Sequence, residues 1–225
     1  MDIRQKIYIC LVCAFVTALV VADIIGGKFV SLGPITLPVG MIPFPITFLL
    51  TDLINEYYGK RAARRATYLG LVMAGFAFLM ILLARHLPVS PKSPLSQGVY
   101  DQVFGASNRL YIASLSAYLV GQLLDIFVFT QLKKLTAGKH LWLRATGSTL
   151  ISQVIDSFMV AYLQLNGVVL ADGTTATFGF ILQIVATGYT IKFFIAIGLP
   201  PLIYAGHEVL HYLFKLKPLT VSEDQ

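Results

Sequence analysis

The run FVSLGPITLPVGMIPFPITFLLTDLINEYYG, from Phe29 to Gly59, decides the fold. It is apolar, yet it carries Pro34, Pro38, Pro43 and Pro45, with Gly33 and Gly40 between them. A proline removes a backbone donor and breaks a helix interior. The clean helical part therefore begins near Pro45, which suits a first helical position, and ends at Gly59, a natural C-terminal cap. About 14 residues remain, or about 21 Å at 1.5 Å per residue, short of the roughly 30 Å of hydrocarbon in a bilayer. The spacing predicts a discontinuous span with irregular backbone at membrane depth. Such backbone survives only where protein or a watery cavity satisfies it, and broken spans often mark transporter binding sites.

The rest of the chain fits a protein solvated by lipid. Of its 225 residues 56% are hydrophobic and only 12% charged, about half the charged share of a soluble domain. Apolar runs predict helices over roughly Ile7–Ile25, Ala66–Leu83, Arg109–Leu132, Thr146–Leu170 and Gly179–Tyr204. With the broken second span they make an all-α membrane protein of six transmembrane helices. They consume nearly the whole chain, so residues 1–225 read as a single domain. The connection from Arg85 to Asn108, with Pro88, Pro91 and Pro94, is long enough for a short surface helix. Arg4 and Lys6 before the first apolar run resemble a signal peptide, but Asp23 stands where small cleavage-site residues belong, so the first helix is read as retained.

The net charge of +6 would suggest nucleic acid in a soluble protein. Here the cations sit in short loops between apolar runs, the pattern of membrane topology. Twelve of the 17 Lys and Arg fall on one side: Arg4 and Lys6, the loop with Lys60, Arg61, Arg64 and Arg65, the loop with Lys133, Lys134, Lys139 and Arg144, and the tail with Lys215 and Lys217. Four fall on the other, and Lys192 lies within the last helix. The asymmetry places both termini in the cytoplasm.

An ionisable residue at a helix centre costs about 2.5–3.5 kcal/mol on insertion scales, so such residues face the bundle interior and pair. Asp125, Asp156 and Lys192 are of this kind, and all three fall in the middle or cytoplasmic half of the bilayer. Helix four has Gln122 three residues before Asp125, and helix five has Gln153 three before Asp156. Residues three apart share a face, so each helix presents an amide and a carboxylate together. Two such faces suit a small polar ligand; the plainer reading of the charges is a structural ion pair. Asp52, Asn55 and Glu56 form a third cluster at the end of the broken span. They read as one wall of a site or of a cytoplasmic gate, or as a helix end anchored by charge, with Glu56 spaced to pair with Lys60.

Other features read more plainly. Cys10 and Cys13 are small packing residues, since no second Cys pair or His cluster completes a metal site. His207 and His211 mark a solvated helix end, and Asp23 lies near the outer end of helix one, within reach of water. Ala14, Ala18 and Ala22, four apart, let another helix approach closely, within the bundle or on a second copy or an ATPase partner. There is no G-x-S-x-G, H-E-x-x-H, Walker loop or dinucleotide fingerprint. No enzyme chemistry, cofactor or metal is therefore expected, and ATP would have to be supplied by another subunit.

Phe44-Pro45-Ile46-Thr47-Phe48, then Thr51-Asp52-Leu53-Ile54-Asn55-Glu56 with Tyr58-Gly59-Lys60 and Arg64, resembles the signature of the queuosine precursor transporter family, also called the vitamin uptake transporter group of bacterial inner-membrane proteins. Gly121-Gln122 with Asp125, Ser152-Gln153 with Asp156, and Tyr189 with Lys192-Phe193 continue the likeness over nearly the whole chain. The resemblance implies uptake of 7-deazaguanine bases such as preQ0, preQ1 or queuine. It also implies a fold similar to the substrate-binding subunits of energy-coupling-factor importers. A deazaguanine presents two adjacent donors and a carbonyl acceptor. A carboxylate can accept both donors, and a Gln amide or Lys192 can donate to the carbonyl. The expected site is Gln122, Asp125, Gln153, Asp156 and Lys192, closed by Asp52, Asn55 and Glu56, with Tyr162, Tyr189 or Phe158 stacking on the ring.

Overall fold

The computed structural model describes residues 2–26, 28–32, 35–105, 108–169 and 175–219. Gly33, Pro34 and Leu170, each named in the sequence reading, lie outside them. Helix α1 (Ile3–Ile25) leads into an antiparallel hairpin of β1 (Phe29–Leu32) and β2 (Ile35–Pro38), then a single 3-10 turn, Val39–Met41. Five further main helices follow: α2 (Phe44–His86), α3 (Gln97–Phe104), α4 (Asn108–Leu135), α5 (Leu141–Leu165) and α6 (Phe178–Gly198). A shorter α7 (Pro200–Glu208) runs on into one π turn, Val209–Leu213.

Among the described residues four helical stretches are long and apolar enough to cross a membrane: Ile3–Ile25, Val39–His86, Tyr111–Leu135 and Phe178–Leu213. The second is 48 residues, which if straight would run about 70 Å, more than twice the hydrocarbon thickness. It is instead two arms, residues 44–58 and 60–86, hinged at Gly59. That residue has φ 82° and ψ 171°, a conformation essentially confined to glycine. Contacts with α1 show the arms running in opposite directions. Gly40 lies against Ala22 and Gly26, and Arg4 Nη2 donates to the Tyr57 carbonyl at 2.6 Å. The first arm thus descends alongside α1 from its C-terminal end to its start. On the second arm, Tyr8 Oη donates to the Ala62 carbonyl at 3.1 Å, and Gly70 packs on Phe15 and Leu19. The expected second and third helices are both present, joined by one residue in place of a loop.

The broken span has more order than expected. The hairpin satisfies its own backbone groups strand to strand, and the Val39 N–H donates to the Lys28 carbonyl at 2.7 Å. Pro43 and Pro45 mark the start of the helix, as their missing N–H groups allow. Gly40 sits where it does because it lacks a Cβ, which would stand 2.6 Å from the Ala22 carbonyl oxygen. Ala22, from the alanine stripe, is therefore used inside the bundle.

Helix α5 begins at Leu141 and ends at Leu165, five residues ahead of the expected Thr146–Leu170. Arg144, counted as a loop cation, belongs to its first turns and is buried. At the far end Gly167 at φ 73° turns the chain away. α5 is also the polar helix of the bundle: Arg144, Ser148, Thr149, Ser152, Gln153 and Ser157 are all buried. In a bilayer apolar burial does not drive helices together, so packing and polar contacts must. α5 packs against α4, α6 and α7. Pro200 and Pro201 divide the expected last helix into α6 and α7. The surface helix α3 is held to the end of α2 by Arg85 Nε donating to Asp101 Oδ1 at 3.0 Å.

Three sequence readings change here. Cys10 and Cys13 are exposed on α1 and take no part in packing the bundle. His207 is drawn inward, its Nδ1 lying 2.8 Å from Tyr57 Oη, and its ring stacks on His211. Glu56 pairs with Lys133 and Arg144 from α4 and α5, while the Lys60 ammonium sits over the Phe127 ring.

Candidate functional site

The polar side chains form two layers. The first surrounds a cavity of about 290 Å³ between α1, the Gly40–Phe48 segment, α4, α5 and α6. That volume is at the lower end of the roughly 300–1,000 Å³ typical of small-molecule pockets. Its wall includes Gln122, Gln153, Asp156 and Lys192 from the expected set, joined by Asp23, Thr47, Phe48, Ser114, Tyr118 and Gly121.

Helix geometry explains the arrangement. Gln122 and Gln153 lie side by side because α4 and α5 are antiparallel and closely packed. At Gly121 a Cβ would stand 3.2 Å from the Asp156 Cβ, so the glycine allows the carboxylate to lie across α4. Lys192 reaches from α6 to donate to Asp156 Oδ2 at 2.6 Å, with the two side chains 15% and 16% exposed. The pair is shielded from bulk water yet touches the cavity. Gln122 Oε1 and Gln153 Oε1 are buried acceptors with no partner. Across the cavity the Asp23 carboxylate lies within hydrogen-bond reach of Ser114. The ion pairs among the described residues leave Asp23 without a cation. Tyr118 is fixed by its hydroxyl, which donates to the Thr67 carbonyl at 3.1 Å.

The second layer lies toward the end of the bundle that carries the N-terminus. Arg144 Nη2 meets Glu56 Oε1 at 2.7 Å and Lys133 Nζ meets Glu56 Oε2 at 3.3 Å, with all three side chains at most 5% exposed. Asp52, Asn55 and Asp125 belong to this layer and are buried. Ser152 Oγ donates to Asp125 Oδ1 at 3.2 Å, and Asn55 Nδ2 to the Ile126 carbonyl at 3.5 Å. The layer lies between the cavity and the end of the bundle that carries the N-terminus.

The expected residues thus divide. Gln122, Gln153, Asp156 and Lys192 come together in the cavity wall, while Asp125, Asp52, Asn55 and Glu56 stand one layer below. Tyr162, Phe158 and Tyr189 do not line the cavity. Phe158 and Tyr162 stack on each other at 5.7 Å, and Tyr189 Oη donates to the Leu150 carbonyl at 3.2 Å, fastening α6 to α5. The rings in the wall are Phe48 and Tyr118. Asp23 was the residue most open to discovery: an acid in an apolar helix at the depth of the proline-rich break, read as meeting water. Ser114 and Tyr118 carry no sequence signal apart from lying about two turns and one turn, respectively, before Gln122. Among the described residues no cluster of His, Cys, Asp and Glu could hold a metal ion.

Residues 38–206 match the family model described as "Putative vitamin uptake transporter". The chain is 31% identical over 195 residues to a "Probable queuosine precursor transporter" of Bacillus subtilis, covering 86% of this chain and 81% of that one. It is 29% identical to a protein of the same description from Haemophilus influenzae, over 82% of this chain and 73% of the relative. A "Queuosine precursor transporter" of Escherichia coli is 30% identical over 55% of this chain and 54% of its own length. No solved structure matches the chain.

Proposed function

The chain belongs to the vitamin uptake transporter family, and from that premise we propose that it carries a queuosine precursor, a 7-deazaguanine base, across a bacterial inner membrane. The relatives named as queuosine precursor transporters support the substrate class. The observation that carries the reading is the cavity wall, where two amides, an ion pair and a separate carboxylate surround a space sized for one small bicyclic base.

Each polar group has a counterpart on such a base. Asp23, without a cation, accepts the adjacent ring N–H and exocyclic amine, a bidentate match for a carboxylate. The Gln122 and Gln153 amides and Lys192 supply donors for the carbonyl and acceptors for the pyrrole N–H. Phe48 or Tyr118 stacks on the ring, worth roughly 1–3 kcal/mol by analogy with bases on aromatic platforms. Asp156, drawn partly away from Lys192, meets the cationic arm of preQ1. Asp52, Asn55, Glu56 and Asp125 form the closing layer.

With both termini cytoplasmic, as the Lys and Arg asymmetry supports, the cavity lies toward the outer side and the closed layer toward the cytoplasm. This is the arrangement of a carrier awaiting its ligand from outside. We read the chain as a carrier, because the polar groups of the cavity wall suit recognition of a small polar ligand.

The test is a thermal-shift and binding screen of the purified protein against preQ0, preQ1, queuine, guanine, biotin and riboflavin. Stabilisation by the deazaguanines alone is the expected result. Stabilisation by a vitamin and not by any deazaguanine overturns the substrate class. Co-purification with an ATPase complex would assign the energy source to a partner.

A further inference from the structure

We propose that Asp52 and Asp125 together hold one exchangeable proton, and that this proton is the coupling ion for transport. The proposal rests on the carrier reading above and adds its driving force.

Charge counting leads to it. Among the described residues the buried layer contains three carboxylates, Glu56, Asp52 and Asp125, and two cations, Lys133 and Arg144. Both cations are engaged with Glu56. With every group ionised the layer carries one net negative charge, an expensive state within hydrocarbon. A single added proton makes it neutral. Asp125 and Glu56, and in the opposite sense the Arg144 guanidinium, lie close enough to act on Asp52 electrostatically; with Glu56 holding both cations, Asp52 and Asp125 are the natural pair to share that proton.

The hydrogen bonding leaves a place for it. Asp52 Oδ1 and Asp125 Oδ2 are buried acceptors with no partner. Asn55, 1% exposed, lies nearby: its Nδ2 reaches the carbonyl of Ile126, next in sequence to Asp125, and its Oδ1 has no partner. Ser148 and Thr149, both buried, bring their hydroxyls within hydrogen-bond reach of the Asp125 carboxylate beside Ser152, which donates to its Oδ1. A carboxyl proton needs only one of these oxygens, whereas a metal cation needs a shell of them. Among the described residues no such metal cluster gathers.

Among the described residues, charged groups reach the layer from several elements. α2 contributes Glu56, α4 Lys133, and α5 Arg144 with Ser152. His207 from α7 is held by Tyr57 at the bottom of the layer, Lys192 from α6 is held by Asp156 above, and Asp23 from α1 lies across the cavity. Gln122 of the cavity wall precedes Asp125 by three residues, about 4.5 Å along the axis. A ligand on Gln122 and a proton on Asp125 are therefore neighbours. In the transport step the proton leaves external water and forms an O–H bond on the carboxylate pair. It is released to cytoplasmic water once the layer opens, which restores the anion.

The test uses purified full-length protein in liposomes with labelled preQ1 and the membrane voltage clamped. Counterflow at equal pH on both sides first shows whether the base is carried at all; its absence in the wild type overturns the carrier reading and this proposal together. With counterflow present, an acid-outside gradient is expected to raise net uptake at least tenfold, with lumenal acidification of one proton per base. Asp125→Asn and, separately, Asp52→Asn fix the layer in its neutral form. Each is expected to keep counterflow while losing the response to the gradient. Wild-type uptake indifferent to the pH gradient, or driven by sodium in its place, overturns the proposal without touching the substrate class. The acidification measurement on wild type decides the matter should neither variant fold.

Discussion

Lys192 Nζ stands 2.6 Å from Asp156 Oδ2 in the wall of the cavity, joining α6 to α5. At about one-sixth exposure the pair is neither a surface ion pair, worth little, nor a fully dry one whose loss would chiefly unfold the protein. A charged ligand can therefore compete for either partner.

That position gives a test separating function from architecture. Lys192→Met leaves Asp156 without its partner, and uptake is expected to fall at least tenfold with a lower membrane level. Adding Asp156→Asn removes the orphaned charge and is expected to restore the membrane level without restoring uptake. If the double variant recovers uptake, the pair is only structural.

The Glu56 layer makes the opposite prediction. Glu56→Ala leaves Lys133 and Arg144 buried with no carboxylate between them, a loss of about 3–5 kcal/mol. The expected result is a large fall in Tm in detergent. Arg144→Lys keeps the charge but not the guanidinium fork, and should give a smaller fall.

Gly59 holds the two arms of α2 in opposite directions at φ 82° and ψ 171°. A Cβ there is strained by about 1–3 kcal/mol. Gly59→Ala should lower Tm and the yield of folded protein, although the residue touches no ligand.

Gly121 offers a way to move Asp156 without changing it. Gly121→Ala puts a Cβ 3.2 Å from the Asp156 Cβ, so the carboxylate must shift by a few tenths of an ångström. Ligand Kd should rise several-fold at normal membrane levels, measured by equilibrium binding, and Gly121→Leu should abolish binding.

The strap on the surface helix responds to acid. Arg85, and then Gln97, hydrogen-bond the Asp101 carboxylate and hold it below the ordinary aspartate range. A lowered folded value means the contact stabilises above the unfolded value near 3.9 and is lost as pH falls through the lowered one. Amide protection in α3 should therefore drop below about pH 4, and Asp101→Asn should remove that dependence.

Much of this was legible in the sequence because lipid makes polar residues conspicuous. The prolines before Phe44 located the broken span, and Gly59 its end. The two Gln–Asp spacings located the facing helices. What was not legible depended on contacts distant along the chain. Arg144 reads as a loop cation until Glu56, 88 residues earlier, draws it into the bundle. The same distant pairing moves the start of α5 and divides the candidate residues into a cavity wall and a closing layer. The stacking candidates lie off the cavity wall for a related reason. Helical periodicity shows that an aromatic shares a face with other residues, but not whether that face is taken by a neighbouring helix, as Tyr189 is by Leu150.

Labelled preQ1 uptake in cells lacking their own transporter, with wild-type chain or Asp156→Asn at matched membrane levels, tests the role of the cavity most directly. A cavity that binds the base through its polar wall predicts robust wild-type uptake and at least a tenfold loss in the variant. Equal uptake by the two would contradict it.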